Sequence, residues 1–443
     1  MHNKFNKLTL VTAVAAVTLA SQVHAGGYQI NEQSVSGQGY NHAGRSSNIN
    51  DATIVYGNPA GMSFLERAQV TAGGTFLSVD TELSNVQANR MLDAGVAQGG
   101  APVGTQVPIG SIPGTNEGDM VPGTLVPFAF YAHPVNERLA FGFGVYAPFG
   151  SSTDYEKDFQ GRYFGDYTEV RVVSAQPTVS YRFNDQWSVG AGISYNQMEG
   201  ELRRQLPTGP AFNSAADIDS RVTGDDDGWG YNLGLVYQPV PETTFGLTYR
   251  SKVDYDLTGD FIAKDPAGNV LRSDDASLDI STPETVNFSL TQQMSERLKL
   301  MFGASWTRWS RFQEIRVLGS QGNTITQETQ NYSNAWAFAT GGEYQLTQTL
   351  ALRAGVALDF TPTNDEFRSV RIPSDDRRIF SLGAGWTPTD NLTVDLAYSY
   401  LSERGTSIDQ QRSDSLQGVG GATYSADYKN EAHGIGAQMT YRF

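Results

Sequence analysis

The 443-residue sequence contains no cysteine, so nothing in it depends on an oxidising compartment. Histidine is scarce. Of five in all, only His42, His133 and His433 lie beyond the first 25 residues, on three different stretches, and no zinc-ligand spacing arises. A catalytic reading needs a nucleophile with its base, a carboxylate pair or a metal cluster, and none is visible. Asp225-Asp226-Asp227 lacks EF-hand ligand spacing and reads as a solvated or lumen-facing acidic patch. Positive charge is also short. Lys and Arg number 31 against 47 Asp and Glu, a formal net charge of −16, which leaves no basic face for nucleic acid. Finally, no run of about 18 apolar residues occurs after the first 25 positions, so no transmembrane helix is expected.

The chain does begin with an export signal. Lys4 and Lys7 precede the apolar stretch Leu8–Ala20, and Val23-His24-Ala25 ends it with a small-residue cleavage site. This predicts a signal peptide over residues 1–25, too short in its apolar core to span a bilayer. Residues 26–66 are rich in Gly, Ser and Asn and do not alternate. They hold the turn Asn58-Pro59-Ala60-Gly61, and their apolar content (Tyr28, Ile30, Ile54, Val55, Tyr56, Met62, Phe64) predicts a compact irregular unit.

Residues 67–443 have a different pattern. In Thr243–Thr258 the odd positions Phe245, Leu247, Tyr249, Val253, Tyr255 and Leu257 are apolar, with Ser251 the exception. The even positions are polar and include Arg250, Lys252, Asp254 and Asp256. Period-two alternation means a strand with one greasy and one wet face, and this one is long enough to cross a bilayer. About fourteen such strands follow one another. Short turns (134–137, 184–185, 239–242, 294–296, 346–349, 387–391) alternate with longer links (83–124, 150–166, 206–220, 261–277, 362–375, 402–421). That asymmetry is the periplasmic-turn and extracellular-loop signature of an outer-membrane barrel. The final strand alternates Ile435, Ala437, Met439, Tyr441, Phe443, and aromatics near the short turns (Phe183, Trp187, Tyr237, Tyr344, Trp386, Tyr441, Phe443) predict an interfacial girdle. The expected fold class is all-β: a transmembrane antiparallel β-barrel of about 14 strands with an N-terminal hatch in its lumen.

The lumen faces mix Arg250, Lys252, Asp254, Asp256, Arg353, Asp359 and Arg377, which is ordinary barrel lining. The loops point elsewhere. Leu206, Pro210, Phe212, Phe261, Ile262, Val270 and Leu271 put apolar side chains on expected exterior loops, either to bind hydrophobic ligands or to pack the loops together.

The start Gly26-Gly27-Tyr28-Gln29-Ile30-Asn31-Glu32 and Asn58-Pro59-Ala60 together resemble the outer-membrane long-chain fatty acid transporter (FadL-type) family. The likeness continues in Gly228-Trp229-Gly230-Tyr231-Asn232, Leu247-Thr248-Tyr249-Arg250-Ser251 and Ile372-Pro373 with Asp376-Arg377. The resemblance implies a fourteen-stranded barrel plugged by residues 26–66. It also implies passive uptake of hydrophobic molecules, foremost long-chain fatty acids, with capture at the outer loops and sideways exit through the wall. It places Asn58-Pro59-Ala60 beside a kink in the third strand, here Pro148-Phe149-Gly150, where proline removes a ladder donor and glycine tolerates a bulge. It also implies a basic head-group pocket. Its first position matches Arg204, but its second aligns with the acidic Glu328, so Arg203 or Arg316 would have to supply charge. Neutral or aromatic hydrocarbons are the alternative substrates; a barrel enzyme and a general porin are the alternative classes. No cofactor is implied. Expected partners are hydrophobic small molecules, outer-membrane lipids and the barrel-assembly machinery, with no nucleic acid, for a monomer in the outer membrane.

Overall fold

The computed structural model describes residues 27–93, 106–116, 120–208, 212, 214–412 and 421–443. The expected leader and Pro210 lie outside them. Fourteen wall strands follow in order. β1 is Gln69–Asp93, β2 Thr124–Pro134, β3 Leu139–Asp154, β4 Tyr167–Arg182, β5 Trp187–Leu206 and β6 Ile218–Val240. Four consecutive strands come in two pieces: β7 (Thr243–Arg250, Val253–Lys264), β8 (Val270–Thr282, Thr285–Gln293), β9 (Leu298–Thr307, Glu314–Gly319) and β10 (Thr324–Thr329, Ala335–Gln345). β11 is Leu350–Asp359, β12 Arg377–Thr389, β13 Leu392–Glu403 with Thr406–Arg412, and β14 Ala422–Arg442. Each pairs antiparallel with its chain neighbours, and β1 closes on β14 from Gln69↔Arg442 to Arg90↔Ala422. This seam closes the barrel, so no terminal strand is left with a free edge in hydrocarbon.

The outward face carries the apolar band. Phe380, Leu382, Trp386, Leu396, Ile435, Met439, Tyr441 and Phe443 are all exposed. Ile435 to Phe443 spans roughly 20–25 Å along a tilted strand, the height of a bilayer core. The strands are much longer than that. β1, at 25 residues, rises roughly 60 Å at a tilt near 40°. Several segments expected to be loops are therefore strand extensions above the bilayer. Residues 83–93 continue β1, and Asn89–Asp93 pair with the added strand Gln106–Ser111. Phe261 and Ile262 lie in β7, opposite Asp274 and Ser273 of β8. Leu206 ends β5.

Thr243–Thr258 does not keep one face to lipid. Below a break at residues 251–252, Leu247 is exposed and Thr244 and Thr248 are buried against the lumen. Above it, Val253, Tyr255 and Leu257 are buried inside, while Lys252, Asp254 and Asp256 face out. The expectation that these three charges line the lumen is thereby corrected. Above the membrane the outside is water, so the greasy face turns inward. Ser251, the one polar residue of the apolar set, sits at the switch. Its N–H donates to Tyr231 O at 2.9 Å and its Oγ accepts from Tyr231 N at 2.9 Å, so the ladder stays satisfied across the break.

Residues 27–66 fill the lumen. They form helix α1 (Val35–Gln38), helix α2 (Ile54–Gly57) and a 3₁₀ turn Pro59–Phe64. Polar groups tie them to the wall: Gln438 Oε1 accepts from Val35 N at 2.9 Å, and Ser46 Oγ donates to Gly246 O at 3.0 Å. Gly246 has no room for a side chain, because a Cβ there would stand 1.8 Å from Ser46 O.

Candidate functional site

The ladder has a gap. β2 pairs with β3 only from Ala129↔Val145 down to Pro134↔Ala140. Above that level β2 continues beside β1, as far as Leu77↔Thr124, while β3 follows β4 alone. The register of β3 on β4 shifts between Tyr146 and Phe149, so Ala147 and Pro148 bulge. The eight residues Tyr146–Thr153 are all buried, and the alternation of the strand is lost as it bends into the lumen. Pro148 cannot donate to a ladder, and Phe149 follows at the bend.

The start of the lumen unit closes this gap by strand addition. Ile30 N donates to Pro148 O at 2.9 Å, and Gly150 N donates to Tyr28 O at 2.9 Å, with Gln29 opposite Phe149. Gln33 Nε2 adds a bond to Ala147 O at 2.6 Å. The expected neighbour, Asn58-Pro59-Ala60, is not at the kink. Asn58 Nδ2 donates to Leu235 O of β6, and Ser180 and Ser188 donate to Ala60 O from β4 and β5. The carbonyls of that turn need donors, and the serines of β4 and β5 supply them low on the wall.

Above the latch lies a cavity with about 810 Å³ of empty space, part of it open to solvent. Its walls come from the inward-turned upper strands: Val170, Met198, Leu202, Val222, Leu257, Leu278, Ile280, Ile315 and Val317, with Ile372 from the loop after β11. Its floor is aromatic. Tyr28 packs edge-on to Trp309 at 4.8 Å, Phe312 at 5.6 Å and Phe149 at 5.8 Å, and Tyr332 touches Phe312 at 4.9 Å. Trp309, Phe312 and Tyr332 come from the breaks in β9 and β10. Gly27 fits under Trp309 with φ +65°, where any Cβ would clash with the indole at 2.5 Å. Burial raises the Tyr28 hydroxyl far above the usual tyrosine range, so it stays neutral.

Below the floor the lining changes to polar. A second space of about 970 Å³ lies between the lumen unit and the wall, bordered by Gln29, Asn31, Glu32, His42, Arg45, Asp359 and Arg377. Burial, with Arg45 nearby, holds His42 well below the ordinary histidine range, while burial raises Glu32.

The expected ligand residues are only partly assembled. Phe261 is buried in the apolar cluster around the cavity, but Phe212 packs in a separate loop core against Tyr163 at 5.0 Å. Leu206 and Ile262 do not border the cavity, nor do Arg203, Arg204 and Arg316. Arg203 is ion-paired with Glu201 and lies over the Tyr167 ring at 4.5 Å. Arg204 is half-buried, opposite Ser220, and Arg316 is exposed on the outer face of β9. Alternation explains the last of these, since Ile315 and Val317 take the inward positions.

The basic residue at the cavity is Arg371, which sequence patterning offered no means of finding because it lies in an irregular loop. Its side chain is 4% exposed and packs on Gly165. Nε donates to both oxygens of Glu328 at 3.2 and 3.1 Å, Nη1 to Tyr167 O at 2.8 Å and Thr168 Oγ1 at 3.0 Å, and Nη2 to Arg203 O at 3.2 Å. Glu328, aligned with the second position of the expected head-group pocket, instead pairs with Arg371.

The family profile described as "Outer membrane protein transport protein (OMPP1/FadL/TodX)" matches residues 16–443. Outer membrane protein P1 of Haemophilus influenzae is 28% identical over 472 residues, covering 99% of this chain and 100% of that protein. The long-chain fatty acid transport protein of Escherichia coli is 24% identical over 470 residues, with 99% of each chain covered. The crystal structure of a Pseudomonas aeruginosa FadL homologue superposes with a TM-score of 0.81 at 26% identity, covering 94% of this chain and 100% of that one.

Proposed function

We propose a route through a chain that belongs to the OMPP1/FadL/TodX family of outer membrane transport proteins, and that transports hydrophobic compounds and is not an enzyme. A hydrophobic molecule leaves water among the extended strands above the bilayer and enters the apolar cavity. It rests on the aromatic floor. When residues 28–30 detach from β3, the floor opens and the wall gap between β2 and β3 opens with it. The ligand then leaves sideways into the outer leaflet, and its own gradient drives the passage.

One observation carries this reading: the same residues make the cavity floor and the closure of the gap. Tyr28 borders the cavity, and its carbonyl holds Gly150 of the kink. Detachment breaks two backbone bonds and the Gln33 side-chain bond, each contributing a net of about 1 kcal/mol, and takes Tyr28 out of its ring contacts with Trp309, Phe312 and Phe149.

Gln29 and Phe149 face each other as a non-hydrogen-bonded pair, flanked by the two latch bonds. Such pairs hold their Cα atoms about 4.5 Å apart, within disulfide range. In this cysteine-free chain, the double variant Gln29→Cys/Phe149→Cys forms one defined crosslink. Uptake of a labelled hydrophobic compound by cells should fall to the level of cells without the protein when oxidised, and recover on reduction. Uptake indifferent to the crosslink would show that the ligand takes another way out.

A further inference from the structure

We infer that the cavity selects uncharged hydrophobic molecules over carboxylates, and that Glu328 is the residue that sets this preference; the inference rests on the route proposed above. Arg371 is the only Arg or Lys among the described residues bordering the cavity. A cation in that position would recognise an anionic head group through charge-assisted bonds. Here every guanidinium nitrogen already has a partner, and the side of Nε is covered by the Glu328 carboxylate, 11% exposed, at 3.1 Å. Glu328 stands behind the cavity lining and already takes the Nε bond of Arg371 that an incoming carboxylate would need. An acid entering the cavity would have to displace it, or remain unpaired among mostly apolar walls, and both are unfavourable.

An uncharged ligand meets no such conflict. The long walls offer Val170, Leu257 and Ile280, while Thr168, Ser369 and Gln330 border the polar end; the two carboxylates on the lining are engaged elsewhere, Glu169 by the Tyr167 hydroxyl and Glu201 by Arg203 and Arg221. An alkane, an alkylbenzene or a long-chain alcohol fits this division, the alcohol with its hydroxyl toward the polar end. Electroneutrality of the Arg371–Glu328 pair, rather than any apolar contact, separates these ligands from a soap of equal length.

The test compares 1-decanol with decanoate at pH 8.5, where the acid is ionised. Equilibrium binding to the full-length protein in detergent micelles is measured, with binding to empty micelles subtracted. Decanol should bind at least about tenfold more tightly. Glu328→Gln, which keeps the shape and frees Arg371, should raise decanoate affinity about tenfold and change decanol affinity less than twofold. Adding Arg371→Met should erase the gain. Decanoate binding as tightly as decanol to the unmodified protein overturns the inference, as does an unaltered decanoate affinity in Glu328→Gln. If Glu328→Gln does not reach the heat-modifiable folded form, the ratio in the unmodified protein decides alone. Failure of the route itself would look different: neither ligand would bind, and filling the cavity with Ala276→Trp would leave uptake unchanged.

Discussion

At the scale of single residues, Arg250 holds the site together from the far side of the lumen. Its Nη1 donates to Tyr146 OH at 2.7 Å and Gln176 Oε1 at 2.9 Å, and its Nη2 to Tyr56 O at 3.2 Å. The guanidinium also lies over the Tyr56 ring at 4.5 Å. It thus connects β7, the foot of the β3 kink, its neighbour β4 and the lumen unit. Charge-assisted bonds of this kind contribute roughly 1.5–3 kcal/mol each. Arg250→Met keeps the bulk and removes the bonds. Amide hydrogen exchange should then quicken about tenfold or more in residues 28–33 and 146–150, with the β11–β13 wall unchanged. Unaltered exchange at the kink would remove Arg250 from the latch. The sequence shows Arg250 as one of several lumen charges, and as no more than that, because its partners lie 104 and 194 positions away. The same applies to Arg371, whose role depends on loop packing that no period records. Ser251 was different: it was visible as the one exception in an apolar series, and it marks the switch of faces.

At the scale of elements, alternation identifies each strand but not which medium each face meets. Leu247 and Leu257 share a sequence parity, yet one faces lipid and the other the cavity. A strand that leaves the membrane must invert its polarity, and it does so here at the breaks in β7–β10, the breaks that also deliver Trp309, Phe312 and Tyr332 to the floor. Fourteen strands and their turns were legible because hydrophobic period and turn chemistry are local. The extensions were read as loops because, on strands that rise into water, the polar face looks like loop composition. The inversion makes a specific prediction. Leu257→Asp buries an unpaired carboxylate in the cavity wall, at a cost of several kcal/mol at that site. It should abolish binding of an uncharged hydrophobic ligand while the barrel still assembles and runs as the folded form on a gel. Thr258→Asp, one position on and facing outward, should bind normally. Normal binding in Leu257→Asp with loss in Thr258→Asp would mean that β7 keeps one face throughout.

At the scale of the whole molecule, the lumen unit decides what kind of channel this is. Its docking is polar and distributed. Asp51 accepts from Gln438 Nε2 at 2.9 Å, Asn48 and Asn50 accept from Lys299 Nζ at 3.1 and 3.2 Å, and Lys299 pairs with Glu343 at 3.3 Å. Arg353 bridges Glu343 and Asp395 beneath Gly39. So many satisfied bonds on one side, against three at the kink, favour the latch over the body of the unit as the part that moves in the proposed route. On that route ligands leave sideways while the body of the unit stays in place against ions. A barrel of this strand number lies between those filled by side chains and those with an aqueous bore, so removing the plug should expose water. Deleting residues 27–66 should raise single-channel conductance in planar bilayers by about tenfold or more. Gly246→Val provides a version that retains the whole chain. Its side chain would have to displace Ser46, which also bonds Ser289, and conductance should rise in part. The disulfide between positions 29 and 149 should leave conductance as low as in the unmodified protein while blocking hydrophobic uptake. If the deletion leaves conductance unchanged, the lumen is closed by the wall itself, and residues 27–66 serve as scaffold.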